Sequence, residues 1–531
     1  VLAFTLTQIA VPLVLRMIID DALIGDAANR DILQMAAIGF FGVVTVNYVA
    51  NYIQLVTVAK TAERILIDIR RAMYAHLQHV SLSFMDKTEV GRLMSRLQGD
   101  VGSLQEFLET SIFAIGDIVL LIGIVTVMVI LDWQLGLLTL SVVPILLVIR
   151  VVWLPIAKRA FMRARETSSM VNGALAENIN GVRTVQEMTR QQINYDAFEG
   201  KVMDNLLAHL RASRLAQIMV PTVDTLTGGA MAIVIIIGGN LVLDRSLDVG
   251  VMVAFLFYIQ RFFDPIRSLT MQYSVMQRAM ASGQRIFEVL DVKVEVEDKP
   301  DAATLDDADG SVEFKDVTFG YVKGQAVLKN INFRIEQGET IALVGPTGSG
   351  KTSTTALLHR FYDVWQGQIM VGGKDVRDVT QESLGQHVAM VLQEPFLFTG
   401  TVFENIRYRS TEAGMDKIVA AAKAVGAHDF IMALPDGYDA ILGQRGGNLS
   451  IGQRQLISFA RAIVADAKIL VLDEATANVD SFTERDIQQA LARTLKGRTG
   501  IVIAHRLATV RHADRIIVLQ DGAITETGTH E

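Results

Sequence analysis

The chain has 531 residues, of which 50% are hydrophobic and 20% are charged, and its formal net charge is −8. This composition favours a membrane protein and provides no basic surface of the kind that binds nucleic acid. Cysteine is absent, which excludes disulfides and thiolate metal sites.

The first residues form an apolar segment. Val1 is followed by neither the charged n-region nor the small-residue cleavage site of a signal peptide. We therefore expect a membrane helix at this end of the chain. We also expect this helix, and the strand-like run that ends at Glu531, to be cut short.

Six segments reach the length of about 20 mostly apolar residues that a membrane-spanning helix needs. They lie at residues roughly 1–19, 33–59, 112–131, 135–157, 218–243 and 247–270. The long connections after the second and fourth segments carry most of the lysine and arginine of the membrane half, whereas the three short connections carry few. The positive-inside rule places the long connections, and the domain after the sixth span, in the cytoplasm.

The first long connection, residues 60–110, predicts helices that continue beyond the membrane. Its charged residues alternate with apolar ones at helical spacing, and it contains no proline. If it turns back near residues 84–88, each arm has about 25 residues and reaches roughly 35–40 Å beyond the bilayer.

Polar and aromatic side chains inside the predicted spans are candidates for a substrate cavity. An ionised group at the membrane centre costs about 2.5–3.5 kcal/mol, so such groups normally face a bundle interior or an aqueous cavity. Asp117 and Asp224 would attract cationic groups, and Phe257 would add an apolar wall. For any single polar residue, pairing between helices or a position nearer the membrane interface is the favoured explanation, and for the aromatic residues ordinary helix packing is an equally good one. The same alternatives apply to Arg16, Asn47, Asn51, Arg150, Phe255, Tyr258, Phe262 and Phe263.

A change of composition separates the membrane half from the rest of the chain. Residues 291–310 are acidic and contain Pro300, and from about Ser311 apolar residues alternate as in paired strands. We therefore divide the chain into a transmembrane domain at 1–290, a linker at 291–310 and a second domain at 311–531.

The second domain contains a phosphate-binding loop. The apolar run TIALVG leads into GPTGSGKT and then into a helix, which is the context that such a loop requires. Backbone N–H groups would converge on phosphate oxygens, Lys351 would reach the terminal phosphates, and the Thr352 hydroxyl would bind Mg²⁺. The predicted ATP-binding residues of this loop are Gly345, Pro346, Thr347, Gly348, Ser349, Gly350, Lys351, Thr352 and Ser353.

The run ILVLDEAT supplies acidic groups that complement the loop. Its four apolar residues predict a central strand ending at Asp473, a carboxylate suited to Mg²⁺ coordination. Glu474 is the candidate general base, because a carboxylate beside the γ-phosphate can polarise the attacking water. ATP and Mg²⁺ are therefore the predicted cofactors.

Further motifs carry a resemblance to a known family. They are LSIGQ at residues 449–453, VLQEP around Gln393, ANVD ending at Asp480, and IVIAHR with His505. With these motifs the chain resembles, over essentially its whole length, the ATP-binding cassette (ABC) transporters, and specifically their type IV exporters. The fold that this resemblance implies is multi-domain. An all-α six-helix transmembrane domain with long cytoplasmic helical extensions precedes an α/β P-loop ABC ATPase domain.

The resemblance also implies roles for single residues. Gln393 matches the Q-loop, which is catalytic and binds Mg²⁺ with Thr352 and Asp473; His505 matches the catalytic switch histidine. Tyr321 matches the aromatic residue that stacks on adenine. Two ATPase domains would enclose ATP, so the signature and D-loop residues would bind the partner's nucleotide. Those residues are Ser450, Ile451, Gly452, Gln453 and Asp480.

Two features bear on assembly and coupling. Residues 84–101 and 177–185 resemble the cytoplasmic loops that hold the coupling helices of these exporters.

Ile451 stands where the family usually has glycine, and a branched side chain disfavours positive φ and adds bulk beside the nucleotide. This departure favours a heterodimer with a second half-transporter over a homodimer that tolerates the substitution.

The implied function is ATP-driven export or flipping of amphipathic small molecules, drugs or lipids by alternating access. The implied location is the bacterial inner membrane, with the ATPase domain in the cytoplasm. An ATP-driven importer of a metal chelate and an ATP-gated channel or regulator are the alternatives. The presence of both Glu474 and His505 favours turnover over gating, and the six spans exclude a soluble cassette ATPase.

Overall fold

The computed structural model describes residues 1–24, 30–306, 308–473, 481–504 and 510–530. The chain forms two compact units. The first consists of Val1–Ala75 and Leu93–Asp291, and the second of His76–Arg92 and Val292–Glu531. The short piece His76–Arg92 therefore packs with the residues that follow the membrane half.

Within the described ranges, six helices are long and apolar enough to cross a membrane, which confirms the six predicted spans. Each of these helices contains a stretch of 18 residues with no more than two charged residues. The spans lie within Leu2–Leu23, Arg30–His79, Val90–Leu131, Trp133–Asn180, Gln191–Leu243 and Val249–Ile266.

Short π-helical segments at Ile18–Ile24, Arg96–Asp100 and Val234–Gly238 interrupt the α-helices. At the helix break after Leu131, the Asp132 side chain accepts a hydrogen bond from the Leu135 N–H at 2.7 Å and so begins the next helix. The α-helices up to the linker are α1 (Leu2–Met17), α2 (Arg30–His79), α3 (Leu82–Lys87), α4 (Val90–Ser95), α5 (Val101–Leu131), α6 (Trp133–Leu140), α7 (Val142–Asn180), α8 (Val182–Glu187), α9 (Gln191–Ile233), α10 (Gly239–Leu243) and α11 (Val249–Leu290).

The predicted helical extensions are confirmed. Helix α2 has 50 residues, which at 1.5 Å per residue corresponds to about 75 Å, far more than the roughly 30 Å of a hydrocarbon core. The predicted reversal near residues 84–88 coincides with the end of α3 at Lys87.

The core of the first unit lies where α11 packs against α1 and α5. Phe255 and Tyr258 on α11 are fully buried, and the Tyr258 hydroxyl donates a hydrogen bond to the Ile9 carbonyl oxygen at 2.7 Å. Further along, Asp100 is 8% exposed. Its carboxylate accepts hydrogen bonds from Arg285 Nε at 2.9 Å and from the Ser282 hydroxyl at 3.0 Å. This ion pair ties the start of α5 to the last turns of α11.

The second unit contains alternating strands and helices. Its strands are β1 (Val312–Phe319), β2 (Leu328–Ile335), β3 (Thr340–Val344), β4 (Gln366–Val371), β5 (Lys374–Asp375), β6 (Val388–Val391), β7 (Gly400–Thr401), β8 (Ile441–Leu442), β9 (Ile469–Asp473), β10 (Thr499–Ile503), β11 (Arg515–Gln520) and β12 (Ala523–Gly528). Its α-helices after the linker are α12 (Lys351–Leu358), α13 (Gln381–His387), α14 (Val402–Arg407), α15 (Met415–Ala424), α16 (His428–Met432), α17 (Ile451–Ala465) and α18 (Ser481–Leu495). Two 3₁₀ turns lie at Gly437–Asp439 and Gln444–Gly446.

The main sheet has the strand order β12-β11-β3-β10-β9-β6. Strand β12 is antiparallel to its neighbour β11, and the other pairs are parallel. Strand β10 is buried along its whole length, as a parallel strand covered on both faces must be. A smaller antiparallel sheet has the order β2-β1-β4-β5. The α/β organisation predicted for the second domain is thereby confirmed.

Candidate nucleotide-binding site

The candidate site lies where neighbouring parallel strands of the main sheet end. In the register of the sheet, Ile503 on β10 pairs with Leu343 on β3 and with Asp473 on β9. Val391 on β6 pairs with Leu472 on β9. Because carboxyl ends of parallel strands share one edge of a sheet, the loop after β3, Asp473 and the segment after β6 meet there, at the usual ligand edge of α/β folds.

The phosphate-binding loop follows a path that requires glycine at two positions. Gly345 has φ +156°, and an added Cβ would lie 2.1 Å from the Leu519 carbonyl oxygen. Gly350 has φ +105°, and its Cβ would lie 2.4 Å from the Leu328 side chain. Backbone conformation and close packing together therefore explain the spacing of these glycines.

The side chains of the loop are polar and held close to its backbone. Lys351 is 5% exposed, and its ammonium donates hydrogen bonds to the carbonyl oxygens of Gly345 at 2.8 Å and Pro346 at 2.9 Å. Burial lowers the pKa of Lys351, and the charge of Asp473 opposes that shift. The buried Ser349 hydroxyl has no hydrogen-bond partner within the described chain. Pro346, Thr347 and Gly348 are exposed at the tip of the loop.

Three oxygen-bearing side chains around the loop fit a divalent cation. Thr352 is exposed in the first turn of α12, Asp473 ends β9, and Gln393 is exposed two residues after β6. Hydroxyl, carboxylate and amide oxygens are the donors that Mg²⁺ accepts, with water and phosphate oxygens completing its octahedron.

Tyr321 lies next to the phosphate-binding loop. It follows β1 after Gly320, its side chain is 42% exposed, and its hydroxyl is 2.9 Å from the Ser353 hydroxyl. Its ring packs edge-on against Phe319 and Tyr362, with centroid distances of 5.1 and 5.2 Å. The exposed part of the Tyr321 ring can therefore stack on a planar ligand beside the loop.

The signature residues begin a long helix. Ser450 caps α17: its hydroxyl accepts a hydrogen bond from the Gln453 N–H at 3.2 Å, and the Gln453 side-chain oxygen accepts one from the Ser450 N–H at 3.0 Å. Gly452 is buried, whereas Ser450 is exposed and Ile451 is 40% exposed. The N-terminus of this 15-residue helix favours an anion, because the helix dipole is positive at this end.

Ile451 is the first residue of α17 and has a helical backbone. The expected conflict between a branched side chain and a positive φ is therefore wrong, because this position needs no positive φ. What distinguishes isoleucine from glycine here is the bulk of an exposed side chain at the helix N-terminus.

Three predicted site residues, Glu474, Asp480 and His505, lie outside the described residues. Strand β9 ends immediately before Glu474, and β10 ends two residues before His505. Both strand ends belong to the edge that carries the phosphate-binding loop.

The candidate residues of the membrane half lie on three different helices. Asp117 on α5 accepts hydrogen bonds from the side chains of Ser268 and Gln272 on α11. Asp224 on α9 is exposed within this chain. Phe257 on α11 is 41% exposed.

Four members of the aromatic cluster on α11 serve packing. Their exposures are 7% or less, which favours the interpretation as helix packing for them and leaves Phe257 as the exposed member. The buried members are Phe255, Tyr258, Phe262 and Phe263. Asn47 is likewise paired between helices, because its side chain donates to the Thr7 hydroxyl at 2.7 Å.

The sequence interpretation missed the partners of Asp117. Ser268 and Gln272 are four residues apart on one face of α11, and the Gln272 amide donates to the Ser268 hydroxyl at 2.9 Å. Their spacing was a detectable signal, but nothing in the sequence indicates that this face meets α5.

A phosphate-binding loop and an acidic strand end, together with six membrane-length helices, define an ATP-hydrolysing membrane transporter. The chain belongs to the ABC transporter family. The family's "ABC transporter transmembrane region" matches residues 2–266 and its "ABC transporter" ATPase region matches residues 328–477. The chain is therefore an integral membrane protein, and its half-transporter organisation implies a dimer.

Relatives of known name cover nearly the whole chain. An ATP-dependent lipid A-core flippase of Desulfotalea psychrophila is 37% identical over 487 residues, which cover 91% of this chain and 84% of the flippase. The Bacillus subtilis protein named "Putative multidrug export ATP-binding/permease protein YgaD" is 36% identical, with 98% and 91% coverage.

A solved structure has the same fold. It is a bacterial Atm1-family ABC exporter with ATP bound, with a TM-score of 0.76 and 26% identity, and the match covers 100% of this chain and 93% of that exporter. The predicted exporter fold is thereby confirmed.

Proposed function

We propose that this chain is one half of an exporter or flippase that uses ATP to move amphipathic molecules out of the cytoplasmic side of a bacterial inner membrane. The observation that carries the proposal is the union, in one chain, of six membrane-length helices with a phosphate-binding loop at the carboxyl edge of a parallel sheet. The names of the relatives, a lipid A-core flippase and a multidrug export protein, support amphipathic cargo.

The nucleotide would contact the phosphate-binding loop with its phosphates and Tyr321 with its adenine. Backbone N–H groups at residues 345–351 and the Lys351 ammonium would hold the phosphates, and the adenine would stack on the exposed part of Tyr321. Mg²⁺, held by Thr352, Gln393 and Asp473, would neutralise charge on the phosphate oxygens. Glu474 would accept a proton from the attacking water, and His505 would contact the γ-phosphate.

Closure of the site would require a second chain. Ser450 and Ile451 are exposed at the start of α17, so the N-terminus of that helix can meet a nucleotide on a partner. Gly452 and Gln453 would contribute to the same contact, and Asp480 would lie beside it. The bulk of Ile451 would impair hydrolysis at the partner's loop. We therefore favour a heterodimer in which this chain supplies the more active phosphate-binding loop and the weaker signature.

The polar face formed by Asp117, Ser268 and Gln272 supports cargo with a cationic group. A carboxylate on a membrane helix is retained only with hydrogen-bond partners or access to water, and Asp117 has two hydrogen-bond partners on α11, Ser268 and Gln272. Asp224 and Phe257 are the further candidates, because their exposed side chains can contribute a charge and an apolar surface.

The test is transport in proteoliposomes that contain the complete transporter. ATP should be hydrolysed faster in the presence of the true cargo, and cargo should move away from the side that holds the ATPase domains. Lipids, cationic drugs and metal chelates are the probes. Movement of a chelate in the opposite direction would instead establish an importer, and a steady ATP-independent ionic current would establish a channel.

The heterodimer is tested by purifying this chain alone. We expect slow, non-cooperative ATP hydrolysis that becomes fast on addition of the partner half-transporter. Full cooperative activity of the isolated chain would contradict the heterodimer and leave the transport function intact. Ile451→Gly should raise the activity of the complex, because it removes bulk at the partner's nucleotide.

A further inference from the structure

Helix α3 forms several polar contacts with the rest of the second unit. None of its six residues is buried, and a helix of this length is unstable by itself. At its start, the Ser81 hydroxyl accepts a hydrogen bond from the Glu295 N–H at 2.6 Å, and the Ser83 hydroxyl donates to the Glu295 carboxylate. Glu295 belongs to the linker that follows α11. The start of α3 is therefore held by the linker.

The end of α3 is held by a tyrosine of the ATPase half. The Tyr362 hydroxyl donates a hydrogen bond to the Asp86 carboxylate. Burial and the contact with Asp86 raise the pKa of Tyr362, so its hydroxyl stays protonated and remains a donor at neutral pH. A hydrogen bond to a charged group is stronger than one between neutral groups.

Tyr362 stands on a rigid turn. The preceding Arg360 is 3% exposed, and its guanidinium donates to the Glu297 carbonyl at 2.9 Å and to carboxylates of Asp298 and Asp363 at 3.3 Å. The turn that carries Tyr362 is thus fixed to the linker, and the Phe361 N–H also donates a hydrogen bond to the Ala356 carbonyl oxygen of α12 at 3.0 Å. A displacement of the Tyr362 ring would come from its neighbours and not from the turn itself.

The ring of Tyr362 meets the candidate adenine-stacking residue. Its centroid is 5.2 Å from that of Tyr321, and the two rings are nearly perpendicular at 85°. Tyr321 in turn is hydrogen-bonded to Ser353, which is buried in the first turn of α12. Four side chains in contact therefore connect the phosphate-binding loop with α3, in the order Ser353, Tyr321, Tyr362 and Asp86.

A cavity of about 900 Å³ lies around this connection. Ser83 and Lys87 line it on the side of α3, and Phe319, Tyr321 and Trp365 line it on the opposite side. The Tyr362–Asp86 hydrogen bond bridges these two sides. Since the space beside it is not filled by protein atoms, the orientation of α3 can change when this bond changes.

We propose that Tyr362 is a positioning residue that links the base bound beside Tyr321 to the orientation of α3. The inference rests on the proposed function, in which adenine stacks on Tyr321 and residues 84–101 form a coupling loop. Stacking of the base shifts the Tyr321 ring, Tyr362 follows through its edge contact, and Asp86 moves with the Tyr362 hydroxyl. Loss of the hydroxyl removes the last step and leaves the phosphate contacts intact.

Hydrogen exchange of the complete transporter in nanodiscs tests this link without any cargo. In the wild type, ATP with Mg²⁺ should slow amide exchange of residues 80–88. Tyr362→Phe should lose most of this slowing, while its affinity for ATP stays within about twofold of the wild type, as expected when no nucleotide contact is removed. Unchanged slowing in Tyr362→Phe would overturn the proposal.

Tyr438→Phe is the matched control. Its hydroxyl is 2.9 Å from His428 Nδ1, so the substitution also removes one tyrosine hydrogen bond from the ATPase half. It should leave the ATP-dependent slowing at residues 80–88 unchanged. An equal loss in both variants would mean that Tyr362 acts only through the stability of the domain, and would also overturn the proposal.

A double-mutant cycle supplies the second measurement. Tyr362→Phe and Asp86→Asn should each lower the cargo moved per ATP by about fivefold, consistent with loss of one charged hydrogen bond. The double variant should be no worse than either single one. Additive losses would overturn the link between these two residues. Failure of the wild type to move any cargo would refute the proposed function, and the exchange experiment would still decide the role of Tyr362.

Discussion

The two halves of the chain place their candidate residues by different physical means. In the ATPase half, the phosphate-binding loop, Asp473 and Gln393 follow neighbouring parallel strands, so backbone hydrogen bonding brings them to one edge. In the membrane half, Asp117, Asp224 and Phe257 lie on three helices, and the rotation of each helix decides what its side chain faces. We therefore expect substitutions at the sheet edge to have the larger and more uniform effects.

The largest effect is expected at the end of β9. Glu474→Gln should reduce ATP hydrolysis at this site at least about 100-fold, because it removes the candidate general base while keeping the size of the side chain. Nucleotide should still bind and be trapped. Glu412→Gln, at an exposed glutamate of the same domain, should hydrolyse ATP at the wild-type rate. Normal turnover by a Glu474→Gln complex with only this site competent would refute the assignment.

The next effect is expected in the phosphate-binding loop. Gly345→Ala would place a methyl group 2.1 Å from the Leu519 carbonyl oxygen, so the loop must move. Affinity for ATP should fall at least about tenfold, which corresponds to ~1.4 kcal/mol. Isothermal titration provides the measurement. Gly338→Ala is the control: Gly338 also has positive φ, +78°, but no atom lies within 4 Å of its added Cβ. An equal loss of affinity in both variants would contradict the steric explanation.

Two ion pairs of α11, one with Asp100 just before α5 and one with Glu106 on α5, test the effect of burial within the membrane half. Asp100 is buried and bound by two nitrogens of Arg285, so Asp100→Asn should destabilise the protein by about 2 kcal/mol. Glu106 and Arg278 form a similar pair in which the side chains are 48% and 54% exposed. Glu106→Gln should therefore cost at most ~1 kcal/mol. Thermal unfolding in one detergent measures both, and equal shifts would contradict the importance of burial.

The smallest effect is expected at the candidate cargo face. Asp117→Asn should slow transport of cationic amphiphiles about threefold to tenfold, as expected for loss of a partly hydrated charge interaction, and should leave neutral cargo unaffected. Asp204→Asn is the control, because Asp204 is an exposed aspartate of α9 that lies outside the predicted span at residues 218–243. Equal slowing of cationic and neutral cargo would show that Asp117 serves packing between α5 and α11.

Sequence patterns predicted the ATPase half well because its motifs mark strand ends. TIALV and ILVLD become β3 and β9, and their register follows from backbone pairing. The spans were also predictable, since length and apolar content decide them. The pairing of Asp117 with Ser268 and Gln272, and the hydrogen bond from Tyr362 to Asp86, were not. Both join residues more than 100 positions apart through side-chain packing, for which no local pattern exists.

The same limit explains the error at Ile451. The preference of the family for glycine suggested a positive φ, whereas α17 begins at this residue with a helical backbone. Residue type alone does not distinguish a requirement of the backbone from a limit on side-chain size. The helix start makes the second explanation the relevant one.

The central claim is that ATP is held between two chains and not within one. Native mass spectrometry of the purified complex carrying Glu474→Gln, loaded with ATP and Mg²⁺, tests it most directly. ATP should be retained by two-chain species and lost from single chains released by mild activation. Stable retention of ATP by single chains, together with full hydrolysis by the wild-type single chain, would contradict it.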